Sequence, residues 1–317
     1  MNSAAAGSTG ADRNRGGNAA MERSGRLSAA VLGAGLIGVD LAAKIMRSRS
    51  LECGLVVARD GETPGLRQAA DLGLTTASGG LQSLLDAPEP FRVVFDATNA
   101  MAHAEHAERL RPIGTLLVDL TPSNYGRMVV PSVNGTDVLT HHDVSMISCG
   151  GQASIPILHA LSQAHRIDYV EVVTTAASVS VGKSTRMNLD EYVETTQAAV
   201  RNFTGVKDVK AILNISPARP PATFRVAMTL LGEGMTADSV RAAIAVAEER
   251  VRVFVAGYRT TVCVVSEDRA FVVVEVTSSG DRIPLYAGNL DIINSAAIRV
   301  AEQYAATALE PISAGKS

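Results

Sequence analysis

Cys149 has a setting that suits nucleophilic chemistry. It stands in the segment SMISCGGQASIP, residues 145–156, directly before two glycines that leave room for another molecule beside the sulfur. Apolar residues alternate with polar ones just before it and predict a strand. Ser154 is the predicted N-cap of a helix with Pro156 in its first turn. A thiol near a positive helix end ionises more readily, so we predict a thiolate nucleophile at Cys149; the alternative is a structural thiol in the core.

A second candidate site is the segment GAGLIG, in which Gly33, Gly35 and Gly38 follow a predicted strand and open a predicted helix. The first glycine allows the tight turn, the second lets a pyrophosphate approach the backbone, and the third packs the helix on the strand. The N–H groups at the helix start then face the phosphates. The pattern predicts dinucleotide binding; a merely structural glycine turn is the alternative.

A carboxylate about 20 residues after such a turn binds the ribose hydroxyls of NAD. Asp60, at the end of the second predicted strand, is the candidate. Arg59 beside it would instead suit the 2′-phosphate of NADP, and a third interpretation makes both residues solvated loop charges. We expect NAD to be preferred.

The segment SVGKST, residues 180–185, is similar to a triphosphate-binding loop, but that pattern needs glycine where this chain has Ala177. We therefore predict a loop over a cofactor, containing Lys183 and Ser184. 

Two other groups of residues have weaker chemical meaning. His103 and His106 share one predicted helix face and would form half of a metal site, but no third ligand is evident, so we predict a surface helix face. Cys53 and Cys263 lie in strand-like runs and are predicted to be small buried hydrophobes.

The composition predicts a globular protein of one large or two ordinary domains. The chain has 317 residues, of which 46% are hydrophobic and 19% are charged. Its formal net charge of -3 provides no excess of positive charge that would attract nucleic acid or an anionic membrane. Three cysteines without CxxC spacing indicate neither a disulfide framework nor a zinc site, and fit a cytoplasmic location. No apolar run reaches the roughly 20 residues that cross a bilayer.

Strands and amphipathic helices alternate between residues 26 and 150 and predict an α/β dinucleotide-binding domain, a Rossmann-type doubly wound parallel sheet. Residues 151–288 have fewer helices between strands and predict an α+β domain with a largely antiparallel sheet. Residues 289–317 are predicted to contain a C-terminal helix that returns to the first domain. Residues 1–25 are polar without apolar periodicity and predict a disordered tail.

A nicotinamide site beside a nucleophilic cysteine suits one reaction. The thiolate adds to an aldehyde, hydride leaves to the nicotinamide, and an enzyme-bound thioester remains for transfer to water, phosphate or a thiol.

The motifs GAGLIG, FDAT, VDLTP, VVPSVN, SCGGQASIP, ETT, PARPP and PLYAGNLDIINSAA follow in an order that resembles the acylating acetaldehyde dehydrogenases, over residues 27–308. The resemblance implies oxidation of a short aldehyde, acetaldehyde or propanal, to its acyl-CoA, with NAD as cofactor and CoA as co-substrate. It also implies a homodimer formed through the second, catalytic and dimerisation domain. Many members form a complex with a 4-hydroxy-2-oxovalerate aldolase, which passes them the aldehyde.

The same resemblance implies roles for individual residues. Cys149 matches the acyl-thioester cysteine, and Asn289 matches an asparagine near the nicotinamide. The pyrophosphate turn matches Gly35, Leu36, Ile37 and Gly38. The cofactor-contacting loop matches Ser180, Val181, Gly182, Lys183, Ser184, Thr185, Arg186, Met187 and Asn188.

The chain departs from the family pattern in two places. Relatives read M-R-D-T after the PP motif, with the aspartate implicated in catalysis, whereas Val226 follows Arg225 here. The segment between TTVCVVSED and FVVVEV is also shorter. Two alternatives therefore stay open: a semialdehyde dehydrogenase with another acyl acceptor, and a catalytically weak dinucleotide-binding partner of an aldolase.

Overall fold

The computed structural model describes residues 25–61, 63–280 and 282–309. The predicted disordered tail lies outside these residues except for Gly25. The first half of the chain contains strands β1 (Leu27–Leu32), β2 (Leu51–Ala58), β3 (Thr76–Ser78), β4 (Val93–Asp96), β5 (Leu116–Asp119), β6 (Arg127–Met128) and β7 (Asp143–Ser145). Its helices are α1 (Leu36–Arg47), α2 (Pro64–Asp71), α3 (Leu81–Leu85), α4 (Ala100–Leu110) and α5 (Pro131–Asn134), with 3-10 turns at Arg111–Ile113 and Gly135–Leu139.

The seven strands of this first sheet are all parallel, in the order β3-β2-β1-β4-β5-β7-β6. Alternate residues of β1 are buried on opposite faces: Val31 packs with Leu41 of α1, and Leu32 packs with Leu110 of α4. Helices therefore cover both faces, which confirms the predicted doubly wound sheet. The strand order reverses between β1 and β4, so a ligand crevice is expected at the carboxyl ends of these two strands.

The second half of the chain contains α6 (Cys149–Ala164), β8 (Arg166–Ala177), a 3-10 turn at Ser178–Ser180, α7 (Lys183–Met187), α8 (Leu189–Thr204), β9 (Asp208–Ser216), β10 (Phe224–Glu233), α9 (Ala237–Arg252), β11 (Tyr258–Ser266), β12 (Arg269–Val276) and α10 (Gly288–Ala308). Its five-stranded sheet has the order β11-β12-β10-β8-β9. The β8–β9 pair is parallel and the other pairs are antiparallel.

One face of this second sheet is buried under helices. Along β10, Val226, Met228 and Leu230 are buried whereas Arg225 and Leu231 are exposed, the alternation expected of a sheet with one covered face. The buried residues share one apolar core with α6, α8 and α9. No helix among the described residues covers the opposite face, where Val264 and Phe271 are exposed.

The last helix, α10, packs on the first sheet. Ala297, Val300 and Ala301 are fully buried in the same core as Leu41 of α1. The ion pair of Lys44 Nζ with Asp291 Oδ1, 2.6 Å apart, joins α1 to α10. No helix within the described residues is both long and apolar enough to span a membrane.

Candidate active site

A sharp turn after β7 places Cys149 at the first position of α6. Ile147 has a φ of 67°, an uncommon conformation for a β-branched residue, and its N–H donates to Ser145 Oγ over 3.1 Å. Ser148 is the N-cap, because its Oγ accepts from the N–H of Gly151 over 2.9 Å. The predicted strand-to-helix turn is present, and it directs the sulfur toward the carboxyl edge of the first sheet.

The predicted helix start, however, was wrong. Because Ser148 caps the helix, α6 begins at Cys149, five residues before Ser154, and both Ser154 and Pro156 lie inside it. The Ser154 hydroxyl donates to the carbonyl oxygen of Gly150 over 2.8 Å instead of capping a helix. The strand before the turn is also shorter than predicted, since β7 ends at Ser145.

The two glycines after Cys149 serve close packing. A Cβ at Gly150 would overlap Thr174 Oγ1 and the hydroxyl oxygen of Tyr192, and a Cβ at Gly151 would press on Ile147 Cγ2 at 2.8 Å. Protein groups therefore occupy the space that the sequence suggested for an incoming molecule.

The Cys149 side chain is half-buried beside Tyr192. Its sulfur is 3.7 Å from the Tyr192 hydroxyl oxygen, which also accepts from the N–H of Gly150 over 3.2 Å. Burial raises the pKa of the Cys149 thiol to about 11, and the hydrogen bonds from Tyr192 and Gly150 offset this only in part. The expectation of a lowered pKa was therefore wrong, because desolvation of a thiolate outweighs the stabilisation that the helix start gives it.

Cys149 opens into a cavity of about 390 Å³ between the two sheets. The same cavity is lined by Gly35, Leu36 and Ile37 of the glycine turn, by the segment 180–185, and by Asn289. The structure therefore brings the candidate nucleophile and most of the candidate cofactor residues to one place.

The three glycines of GAGLIG differ in the space around them. A Cβ at Gly33 (φ 110°) would press on the Ala97 carbonyl oxygen at 2.6 Å, and one at Gly38 would overlap the carbonyl oxygen of Gly33. Apart from its chain neighbours, no atom of the described residues lies within 4 Å of a Cβ placed at Gly35, which lines the cavity at the start of α1. The first and third glycines thus serve the fold, and the second leaves an open approach to the backbone.

The predicted cofactor loop is split in two. Ser180 to Thr185 line the cavity, and Ser184 Oγ donates to the carbonyl oxygen of Thr98 beyond β4. Arg186, Met187 and Asn188 do not line it. Arg186 bonds back to Ser178, Met187 is exposed, and Asn188 is buried.

Asn289 lies at the start of α10, on the cavity wall. Its side-chain Nδ2 donates to the Ser180 carbonyl oxygen over 2.9 Å, which holds the loop against α10. Its Oδ1 is buried without a hydrogen-bond partner among the described residues. This acceptor is available to a ligand in the cavity.

Asp60 lies apart from the cavity, just after β2, with its side chain 79% exposed. Its Oδ2 is 3.8 Å from Nε of Arg59, whose side chain is also exposed. This is the strand end at which ribose-binding carboxylates stand in doubly wound sheets.

The prediction of a surface helix face for His103 and His106 was wrong. Both side chains are buried in α4. Both rings form hydrogen bonds with Asp96 at the end of β4: its Oδ2 is 2.9 Å from Nδ1 of His103 and 2.7 Å from Nδ1 of His106. Buried polar groups paired in this way satisfy one another.

Asp119 and Asp143 complete this buried network around His103. Burial alone would lower the pKa of His103, but hydrogen bonds to Asp143 and Asp96 raise it to about 10. Burial raises the pKa of Asp119 to about 7. One ligand atom each of Asp96, His103 and Asp119 lies within 4.8 Å of the others, yet both ring nitrogens of His103 already face carboxylates. The arrangement is that of an imidazolium held by carboxylates.

Val226 is fully buried in β10, in the core shared with α6. No aspartate, glutamate or histidine lines the cavity in the described parts of the chain.

The two other cysteines, Cys53 and Cys263, are half-buried rather than fully buried as predicted.

Sequence reasoning missed Tyr192, the residue that contacts the sulfur. Tyr192 lies four residues before Thr196 in α8, so the two share a helix face. Only the packing of α8 against α6 shows that this face meets Cys149.

Comparison with known proteins identifies the family. A family model described as prokaryotic acetaldehyde dehydrogenase, dimerisation, matches residues 149–284. The acetaldehyde dehydrogenase of Streptomyces griseus is 51% identical, over 87% of this chain and 90% of its own length. The chain belongs to the acetaldehyde dehydrogenase family. Acetaldehyde dehydrogenases of Pectobacterium atrosepticum and Bacillus cereus are 40% and 39% identical, over 86% and 88% of this chain and 93% and 94% of their own.

The family resemblance inferred from the motifs is thereby confirmed, and the chain is an oxidoreductase of the acetaldehyde dehydrogenase type. A solved structure with the same fold is aspartate semialdehyde dehydrogenase II of Vibrio cholerae, complexed with ASA. It matches with a TM-score of 0.62 at 13% identity and covers 87% of this chain and 97% of that one. At this identity the likeness shows the fold alone.

Proposed function

We propose that this chain oxidises a short aldehyde, acetaldehyde or propanal, with NAD, and transfers the acyl group to CoA through a thioester on Cys149. One observation carries the proposal: Cys149 and residues 35–37 of the glycine turn line the same cavity. A nucleophile and a hydride acceptor must both reach one carbon atom in such a reaction.

The cavity residues suit a dinucleotide. Gly35 is the N-cap of α1 and provides no side-chain cap, so N–H groups of the first turn are free to bind a phosphate. Asn289 Oδ1 would accept a hydrogen bond from a nicotinamide carboxamide, and Asp60 would bind ribose hydroxyls. NAD held there supplies the acceptor for the hydride that leaves the aldehyde carbon.

Cys149 would act as the acyl carrier. Its thiolate forms a bond to the carbonyl carbon, and the negative charge moves to the carbonyl oxygen. When the C–H bond breaks and its electron pair leaves as hydride, the C=O bond re-forms and a thioester remains. The thiolate of CoA then attacks this carbon, and the Cys149 sulfur leaves as a thiolate.

The lining of the cavity supports a thiol as acyl acceptor. Water needs a general base to attack a thioester, and within the described residues no carboxylate or imidazole lines the cavity. Phosphate would need several cationic groups, whereas the described residues contribute only Lys183 to the lining as a cation. A thiol such as CoA is partly ionised at neutral pH, so it attacks the thioester without a base, although only slowly.

The uncovered face of the second sheet supports a homodimer. Val264 pairs with Phe271 across β11 and β12, and Phe271 pairs with Thr229 of β10, so they form a row on that face. Val264 is 60% and Phe271 37% exposed. We propose that two copies pack through this row. Light scattering of the purified protein measures the oligomeric state.

A 4-hydroxy-2-oxovalerate aldolase is the proposed second partner, and co-purification tests that complex.

The decisive experiment follows NADH formation with acetaldehyde, with and without CoA, in the parent and in Cys149→Ser. We expect CoA-dependent NADH formation in the parent and its loss in the variant, because a serine hydroxyl is scarcely ionised at neutral pH. Cys53→Ser and Cys263→Ser are matched controls that should keep the activity. Activity of Cys149→Ser within a few-fold of the parent would refute the nucleophile.

A further inference from the structure

Tyr192 is placed to act on the Cys149 sulfur. Its ring is 4% exposed, and its hydroxyl oxygen lies 3.7 Å from Sγ. The N–H of Gly150 donates to this oxygen over 3.2 Å. Thr174 and Ser148 also lie within hydrogen-bond reach of this hydroxyl. Since the oxygen accepts from the backbone, its own proton can be donated, and the sulfur is one acceptor within reach.

A chain of hydrogen bonds holds α8 against the start of α6. The N–H of Gly151 donates to Ser148 Oγ, which is 2.8 Å from Thr196 Oγ1. Thr196 Oγ1 in turn donates to the carbonyl oxygen of Tyr192 over 2.7 Å. Tyr192 is therefore connected to the N-cap of the helix that carries Cys149, and its hydroxyl is positioned before any substrate binds.

The other ionisable groups around the cavity lie elsewhere. Among the described residues that line it, Cys149, Lys183 and Tyr192 are the ionisable ones, and Lys183 is exposed. Position 226 offers only a buried valine. The acidic residues of α8 near Tyr192, Asp190 and Glu191, do not line the cavity.

We propose that Tyr192 is a catalytic residue whose hydroxyl donates a hydrogen bond to the Cys149 thiolate, both before it attacks the aldehyde and when it leaves the thioester. This inference rests on the proposed role of Cys149 as nucleophile. It gives the site a neutral hydrogen-bond donor for the sulfur where a carboxylate is missing. A hydrogen bond to a charged group is roughly twice as strong as one between neutral groups, so the hydroxyl favours the thiolate over the thiol.

The test measures the rate at which iodoacetamide alkylates Cys149 between pH 7 and 9.5, without aldehyde, NAD or CoA. Mass spectrometry of peptides separates the Cys149 adduct from those of Cys53 and Cys263. In Tyr192→Phe we expect about tenfold less thiolate at a given pH. The rate should fall about three- to tenfold, because a more basic thiolate is also more nucleophilic.

Tyr258→Phe is the matched control. Tyr258 is fully buried, and its hydroxyl donates to the Ala153 carbonyl oxygen of the same helix over 2.7 Å. The control therefore loses one buried hydrogen bond to α6 without contact to the sulfur, and it should keep the parent rate. An unchanged or faster rate in Tyr192→Phe, or an equal fall in both variants, overturns the proposal.

A second measurement does not depend on the folding of Tyr192→Phe. The parent protein is expressed with 3-fluorotyrosine in place of tyrosine, which makes the phenol of residue 192 a stronger hydrogen-bond donor. The rate of Cys149 alkylation should then rise, and no rise overturns the proposal. Alkylation needs no dehydrogenase reaction. A failure of the proposed function would appear separately, as absent aldehyde-dependent NADH formation in the parent.

Discussion

Thr174 and Val226 are paired directly across the antiparallel strands β8 and β10, so their side chains lie on the same, helix-covered face of the second sheet. Both are almost completely buried. Thr174 Oγ1 lies where a Cβ of Gly150 would be, and no hydrogen bond of standard geometry satisfies it among the described residues. Position 226 is thus one side chain away from the start of the helix that carries Cys149.

We expect Val226→Asp to speed the slow phase of the reaction. The parent should show a burst of about one NADH per active subunit, followed by slow CoA-dependent turnover, as for an accumulating acyl-enzyme. A carboxylate beside Thr174 supplies the missing proton acceptor, and such groups contribute about 10²–10⁴-fold. Rapid-mixing absorbance should show a gain of at least about tenfold in the slow phase and less in the burst.

Val226→Asn is the control for this variant. It introduces a polar group of the same shape that takes no proton, so it should lose stability without the kinetic gain. We expect Val226→Asn to lose about 1–3 kcal/mol of unfolding free energy, because a polar group enters the core, and Val226→Asp to lose more, because an ionised carboxylate is costlier to bury than an amide. A well-folded Val226→Asp with the kinetics of the parent would show that this position takes no part in catalysis.

Asp60 should determine cofactor affinity rather than chemistry. Asp60→Ala removes the ribose acceptor, and we expect the KM for NAD to rise about tenfold or more with kcat within about twofold. Glu52→Ala, near the opposite end of β2, is a control at an exposed carboxylate and should change neither constant. The parent should prefer NAD over NADP, with Arg59 permitting some use of NADP. A strong preference for NADP would refute the role of Asp60.

Substitution of two glycines in the same turn should affect cofactor binding in one case and protein stability in the other. A methyl group at Gly35 meets open space, so Gly35→Ala should keep the melting temperature of the parent but weaken NADH binding by about tenfold or more. A methyl group at Gly38 overlaps the Gly33 carbonyl oxygen, so Gly38→Ala should lose about 1–3 kcal/mol of stability. Thermal melting and NADH fluorescence titration measure both effects; equal melting temperatures in the two variants would contradict this.

The free energy of unfolding should fall as the pH rises above neutrality, because of His103. Its pKa in the folded protein is raised to about 10, so its stabilisation is complete below the unfolded value of 6.5 and is lost as pH rises toward 10. In between, the unfolded chain releases the proton that the folded protein retains, and stability falls by about 1.4 kcal/mol per pH unit. Asp119, with a pKa near 7, has finished its own titration above pH 8. Burial raises the pKa of Cys53 and of Cys149 to about 11, so both thiols add a loss of stability that grows above pH 9.

Urea unfolding between pH 8 and 9 tests this expectation, because the thiols contribute little in this range. His103→Gln should be less stable than the parent at pH 8, with a stability that changes less with pH than that of the parent. His142→Gln, at an exposed histidine of the loop before β7, should follow the parent. Parallel pH dependence of His103→Gln and the parent would exclude His103 as the titrating group.

Features that depend on neighbours in the chain were predictable. The alternation of apolar strands and amphipathic helices predicted the parallel sheet, since burial on both faces demands continuous apolar runs. The spacing of Gly33, Gly35 and Gly38 predicted an open second position, and Cys149 was expected at a strand-to-helix turn. Each of these follows from backbone geometry over a few residues.

The chemistry around the sulfur depends on packing between distant segments, and only the tertiary structure decided it. Tyr192 reaches Cys149 from 43 residues away, and His103 meets Asp143 from 40 residues away. The local pattern indicated a helix end that lowers the pKa of the thiol, but burial between segments distant in the chain raises that pKa. A residue's type sets which interactions it can make, whereas desolvation and partner distance, which fix its charge and reactivity, exist only once the elements have packed.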